Sequence, residues 1–205
     1  MQIGTKRHPA HPWPIRLMHW IGVYAIGCMV LSGWQIYDAS TSLPFLVPPW
    51  ATLGGWLAGG IAWHLSAMWL LFADGAAYLA YGVASGHFRR NLSPPSPRAV
   101  ARDFVQALRL RLPHRLGHYN AVQRLLYIGV LVAIALAVVT GLSIWKPVQL
   151  GWLTGIFGGY PVARGIHLAM MGIIVAFVAI HLLLVAFYPR TLAAMIVGLP
   201  TEDET

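Results

Sequence analysis

Val162-Ala-Arg-Gly-Ile-His-Leu-Ala-Met-Met-Gly-Ile-Ile-Val-Ala-Phe-Val-Ala-Ile-His-Leu-Leu-Leu-Val-Ala-Phe-Tyr188 is the stretch that decides the fold. It carries one formal charge, Arg164, and stops against Pro189. As an α-helix rising about 1.5 Å per residue, it is long enough to cross the roughly 30 Å hydrocarbon core of a bilayer. Two histidines lie in it, His167 and His181, fourteen residues apart. At about 100° per residue they return to nearly the same face, about 21 Å apart along the axis.

The rest of the 205-residue chain has the same character: 58% of it is hydrophobic and only 10% charged. Soluble domains carry about 25% charged residues, so most of this surface does not face water. Spans are expected at about 15–37, 52–83, 121–145 and 162–188, with a basic loop at 84–120. The fold class is therefore all-α: one transmembrane domain over 1–205, built as an integral membrane four-helix bundle. Pro44, Pro48, Pro49, Pro147, Pro161 and Pro189 fall between or at the ends of the spans, where helices stop. Trp13, Trp20, Trp50, Trp145, Trp152 and Tyr188 lie near span ends, as interfacial aromatic belts do. The apolar run at 21–31 has no small-x-small cleavage site after it, so the first span is read as retained.

Lys6, Arg7, Arg16, Arg89, Arg90, Arg98, Arg102, Arg109, Arg111, Arg115, Arg124 and Arg190 all fall on one side of such a topology, and only Lys146 and Arg164 on the other. The positive-inside rule then puts both termini in the cytoplasm and the loops at 38–51 and 146–161 outside. The same interleaving explains the net charge of +8 without nucleic acid. Residues 97–112 are basic with apolar positions about one turn apart. They are either a helix on the membrane surface or a solvated loop. No internal repeat is evident. The single cysteine, Cys28, cannot form an internal disulfide, and no Cys-x-x-Cys-His exists for covalent haem attachment.

Nine histidines are present. His8, His11, His87, His114 and His118 lie outside the spans or at their margins; His19, His64, His167 and His181 lie within them. An ionisable residue in a membrane is a functional hypothesis by default, against the alternative of a histidine hydrogen-bonded to a neighbouring helix. The spacing on span four implies two stacked sites. Depth pairs His19 with His181 near the cytoplasmic side, and His64 with His167 near the outer side. Two imidazoles on opposite faces of a macrocycle give low-spin six-coordinate iron suited to electron transfer. Zinc prefers four ligands, often with Cys or carboxylate, and each level offers two histidines with no acid close by. Two haem b groups are therefore expected. Gly22, Gly33, Gly59, Gly60, Gly141 and Gly172 serve either macrocycle approach or ordinary helix packing. Arg164 is a candidate partner for the outer haem propionates and Arg16 for the inner ones. Lys146 is either a second outer partner or an interfacial anchor.

Pro14-Ile-Arg-Leu-Met-His19-Trp20, Tyr119-Asn-Ala-Val-Gln-Arg124 and the His167/His181 pair resemble the di-haem cytochrome b subunits of the bacterial cytochrome b561, nickel-iron hydrogenase and formate dehydrogenase gamma group. The resemblance covers nearly the whole chain. Arg-Leu-Met-His19-Trp20 and the turn Trp145-Lys-Pro-Val look most like the type paired with a periplasmic molybdopterin oxidoreductase. The resemblance implies an inner-membrane protein relaying electrons between a periplasmic redox subunit and the quinone pool. It also implies a quinone site beside the inner haem, lined by Asn120 and Gln123. Amides at the cytoplasmic mouth of span three suit a quinone carbonyl, and His118 can exchange a proton near neutral pH. For Asn120 the other reading is a helix N-cap. Asp74, the one acid buried in a span, either relays protons or pairs with an arginine such as Arg124. Two rival functions stand beside this one. One is a self-contained b561-like quinone oxidoreductase fed by a small donor such as superoxide. The other is a haem-free membrane anchor or transporter.

Overall fold

The computed structural model describes residues 9–109 and 119–200. They form α1 (Trp13–Asp38), α2 (Leu57–Ala84), α3 (His87–Asn91), α4 (Pro97–Leu108), α5 (Ala121–Trp145), α6 (Gly151–Ile156), α7 (Tyr160–Phe187) and α8 (Pro189–Val197), with no strand among the described residues. Four helices, α1, α2, α5 and α7, are long and apolar enough to cross a membrane. The protein is thus an all-α membrane protein. The described residues fall into two compact units, 12–85 and 86–200, the second including the segment 9–11.

The first unit is the hairpin α1–α2. Its close point is Gly60, where a Cβ would lie 2.9 Å from Gln35 Cγ on α1. The connecting loop folds back on α1. Tyr37 Oη donates to the Leu43 carbonyl at 3.1 Å, and Asp38 Oδ1 accepts from Val47 N at 3.0 Å. Trp34, Tyr37 and Phe45 form an aromatic cluster around that turn, and Leu53 N donates to Leu31 O at 3.0 Å. This fold-back explains why α2 begins at Leu57 rather than near 52. Gly54 and Gly55 take φ of 115° and 72°, a conformation open to glycine and closed to a helix.

The second unit is built on the hairpin α5–α7. Its start is heavily capped. Asn120 Oδ1 accepts from Gln123 N at 2.9 Å, and Gln123 Oε1 accepts from Asn120 N at 3.1 Å, a reciprocal capping box. The buried Asp103 of α4 accepts from Ala121 N at 2.9 Å, placing a carboxylate at the positive end of the α5 dipole. So the basic stretch after α2 is helical over Pro97–Leu108, and its acid ties it to α5. Across the other end of this hairpin, Ser143 Oγ donates to Thr154 Oγ1 at 3.0 Å, fastening α6 to α5. Pro189 separates α7 from α8. Ala10 N donates to Leu199 O at 2.8 Å, so the two ends of the described chain lie together.

Gly60→Val is expected to destabilise the fold by the ~1–3 kcal/mol typical of overpacking, read as a lower melting midpoint in detergent by circular dichroism. A Cβ at Gly75 meets nothing within 4 Å, so Gly75→Ala is expected to leave the midpoint unchanged or raise it.

Candidate haem-binding site

Within the first hairpin, Ser32 of α1 and His64 of α2 meet: Ser32 Oγ lies 3.0 Å from His64 Nδ1. Ser32 is fully buried and sits 2.5 Å from its own-helix carbonyl Cys28 O, which can only accept. The hydroxyl has one proton, and it goes to that carbonyl. His64 Nδ1–H must then be the donor to Ser32 Oγ. This fixes the tautomer with the lone pair on Nε2, the state in which imidazole binds iron.

The second hairpin repeats the device. His167 Nδ1 lies 2.9 Å from the Ala137 carbonyl and 3.3 Å from Thr140 Oγ1, both on α5. Thr140, also fully buried, donates its proton to Leu136 O at 2.6 Å. A carbonyl accepts only, so Nδ1 carries the proton here too and the lone pair is on Nε2. A Cβ at Gly141 would stand 3.1 Å from His167 Cε1, so the glycine is what lets the ring lie against α5.

The two arrangements correspond in sequence. Residues 30–37 read Val-Leu-Ser-Gly-Trp-Gln-Ile-Tyr and residues 138–145 read Val-Val-Thr-Gly-Leu-Ser-Ile-Trp. Valine, hydroxyl, glycine, isoleucine and a closing aromatic ring recur in register. His64 is the eighth residue of α2 and His167 the eighth of α7. A local repeat therefore exists where none was expected. It was hidden because one hydroxyl in an apolar span usually serves only its own backbone. Ser32 and Thr140 are the partners of these two rings that sequence reasoning missed.

The other two spanning histidines have different neighbours. His19, seventh residue of α1, has the Trp20 ring edge-on at 5.5 Å. His181 is stacked on Phe177, with centroids 5.8 Å apart and planes 10° apart. From Phe177 a line of ring contacts runs through Tyr127 and Tyr119 to His11, at 6.1, 5.1 and 6.4 Å. It ends beside Asn120, at the start of α5. His87 is a structural residue: its Nδ1 accepts from Asn91 Nδ2 at 2.9 Å, and burial, then Arg90, push its pKa below the usual imidazole value.

Several buried polar atoms have no hydrogen-bond partner among the described residues: Arg16 Nε and Nη1, Arg124 Nε and Asp74 Oδ1. Arg16 is one helical turn before His19, so a half-buried guanidinium with two unmet donors stands on the same side of α1 as that imidazole. Asp74 packs toward α1 at Gly22, where a Cβ would lie 3.3 Å from Oδ2. Arg164 is half-buried in the first turns of α7. Lys146 caps α5 with its Nζ over the Trp145 ring at 4.6 Å, the posture of an interfacial anchor. Among the glycines, Gly60 serves helix packing and Gly59 meets the Gly54 carbonyl, whereas a Cβ at Gly172 would meet nothing within 4 Å. The carbonyl oxygens of Asn120 and Gln123 are committed to the cap. His118 lies outside the described residues, as do His8, His114, Lys6, Arg7, Arg111 and Arg115.

These features fit a haem: imidazoles in the ligating tautomer, a glycine beside one ring, and a half-buried arginine whose Nε and Nη1 find no partner among the described residues. Among the described residues no three His, Cys, Asp or Glu side chains converge, as a protein-held zinc ion would require. Residues 10–198 match the family model described as prokaryotic cytochrome b561. The chain belongs to that family. It is 46% identical over 192 residues to a protein of Azospira oryzae named "Putative protein-methionine-sulfoxide reductase subunit YedZ1", covering 93% of this chain and 96% of that one. No solved structure matches it. This cytochrome is accordingly an inner-membrane, haem b-binding protein of electron transport, of the kind that serves as an oxidoreductase subunit.

Gly141→Val would push branched methyl groups against the His167 ring. It is expected to lower the haem-to-protein ratio of the purified cytochrome, read from the reduced-minus-oxidised visible spectrum, while Gly172→Ala leaves that ratio unchanged.

Proposed function

We propose that this cytochrome holds two haems b and passes electrons between the quinone pool on the cytoplasmic side and a periplasmic redox subunit. The observation that carries the reading is α7, one unbroken helix with His167 as its eighth residue and His181 seventh from its end. In a membrane of fixed thickness, position along a spanning helix is depth. His167 and His64 are then about 10 Å inside the ends of α7 and α2 that follow the outer loops. His181 and His19 are about as far from the opposite face. His64 and His167 are the proposed iron ligands of the outer haem, His19 and His181 those of the inner one. Bound haem supplies one-electron chemistry between the two faces.

The protein's share is binding, positioning and proton handling. The unmet donors of Arg16 suit an inner propionate, and Arg164 suits an outer one. At the start of α5 the capping box leaves the Asn120 amide N–H2 as a donor suited to a quinone carbonyl. Gln123, and His118 by sequence position, complete the proposed quinone mouth. Asp74 is the proposed proton carrier. The basic side of the helices supports cytoplasmic termini. Kinship to a protein named as a reductase subunit favours electron flow from quinol outward. The partner is then a periplasmic oxidoreductase, by resemblance of the molybdopterin type, acting on a methionine sulfoxide.

The visible spectrum of the purified protein is expected to give two low-spin b-type haems per chain. His181→Ala and His64→Ala are each expected to retain one haem, with different midpoint potentials remaining. Full haem content in both variants would end the ligand assignment. Asn120→Asp preserves the cap acceptor and deletes the amide donor. It is expected to melt like the parent yet weaken quinone binding about fivefold, the value of one hydrogen bond near 1 kcal/mol. Unchanged binding in that variant would remove Asn120 from the site.

A further inference from the structure

We propose that Ser32 and Thr140 are positioning residues that set the donor strength of His64 and His167, and thereby the reduction potential of the outer haem alone. This rests on the reading that those two histidines ligate it. In each hairpin three groups stand in line: the imidazole Nδ1–H, a buried hydroxyl oxygen, and the carbonyl one turn back on the hydroxyl's own helix. The distances are 3.0 and 2.5 Å through Ser32, and 3.3 and 2.6 Å through Thr140. A hydroxyl that has given its proton to a carbonyl is a stronger acceptor than one that has not. A ring whose Nδ1 proton is so held carries more negative charge and is a more basic ligand. A more basic axial ligand favours ferric over ferrous iron, so both hydroxyls lower the potential.

Back-bonding of a serine or threonine to its own helix is common and means nothing alone. It does not by itself bring a histidine of the next long helix onto the same oxygen. Here that happens twice. Each hydroxyl lies in the same eight-residue pattern, at 30–37 and 138–145, and each histidine is the eighth residue of its helix. His19 and His181 stand beside the Trp20 and Phe177 rings. Ser32 and Thr140 therefore act at the level of His64 and His167.

The test is a spectroscopic redox titration of the haem-loaded protein, parent and variants, with haem stoichiometry measured on the same samples. In Ser32→Ala one of two one-electron waves is expected to move up. At the parent midpoint the reduced-to-oxidised ratio of that haem rises about tenfold, which is about 59 mV for a one-electron couple. The other wave stays. Thr140→Val keeps the Ala137 carbonyl as acceptor, so the same wave should rise by no more than about threefold. Ser32→Thr restores the hydroxyl and is expected to titrate like the parent. If Ser32→Ala loses one haem, retention of both by Ser32→Thr still supports the proposal, because the variant that keeps the hydroxyl keeps the haem. Parent-like potentials and haem content in Ser32→Ala overturn it while leaving the di-haem reading intact. So does an equal shift of both waves, which reports general loosening. A parent protein with fewer than two haems fails the di-haem reading instead.

Discussion

A polar ring nitrogen in hydrocarbon has no water to turn to, and an unmet donor there costs several kcal/mol. For His64 and His167 that cost is removed by oxygens on the preceding long helix of the same hairpin: Ser32 for one, Thr140 and the Ala137 carbonyl for the other. Much else follows from bringing those groups into reach. Gly60 lets α2 approach α1 at Gln35, and Gly141 lets the His167 ring lie flat against α5. The ring orientation, the tautomer and the helix spacing are thus one constraint seen from three sides.

The end of the second hairpin where α5 starts works differently. Its polar groups satisfy backbone rather than rings. Asn120, Gln123 and Asp103 together occupy the first N–H groups of α5. A line of aromatic contacts then leads from Tyr119 through Tyr127 and Phe177 to His181. A capped helix start and a continuous run of ring contacts therefore meet at this end of the hairpin. The carboxylate of Asp103 also makes α4 part of that start, although α4 itself exposes Phe104 and Val105.

Hydropathy and proline placement made the four long helices legible, because lipid leaves so few alternatives for apolar runs of that length. The start of α2 was not legible. Leu53 looks like a span residue, yet Gly54 and Gly55 and the Tyr37–Leu43 hydrogen bonds turn that segment back over α1. The histidines stand out as candidates in the sequence because charge-capable rings are rare at membrane depth. Their hydroxyl partners do not, since Ser32 and Thr140 each look like one more small polar residue until the geometry shows what each touches. Asn120 was read as either a cap or a quinone contact. The structure makes it a cap through its oxygen, and its amide nitrogen keeps the other role open to it.

Because the Nδ1 proton of His64 is satisfied within α1–α2, and that of His167 within α5–α7, neither hairpin depends on the other, or on bound cofactor, to hide that donor. Each can enter the lipid as a helical pair in its own right as the chain emerges from the ribosome.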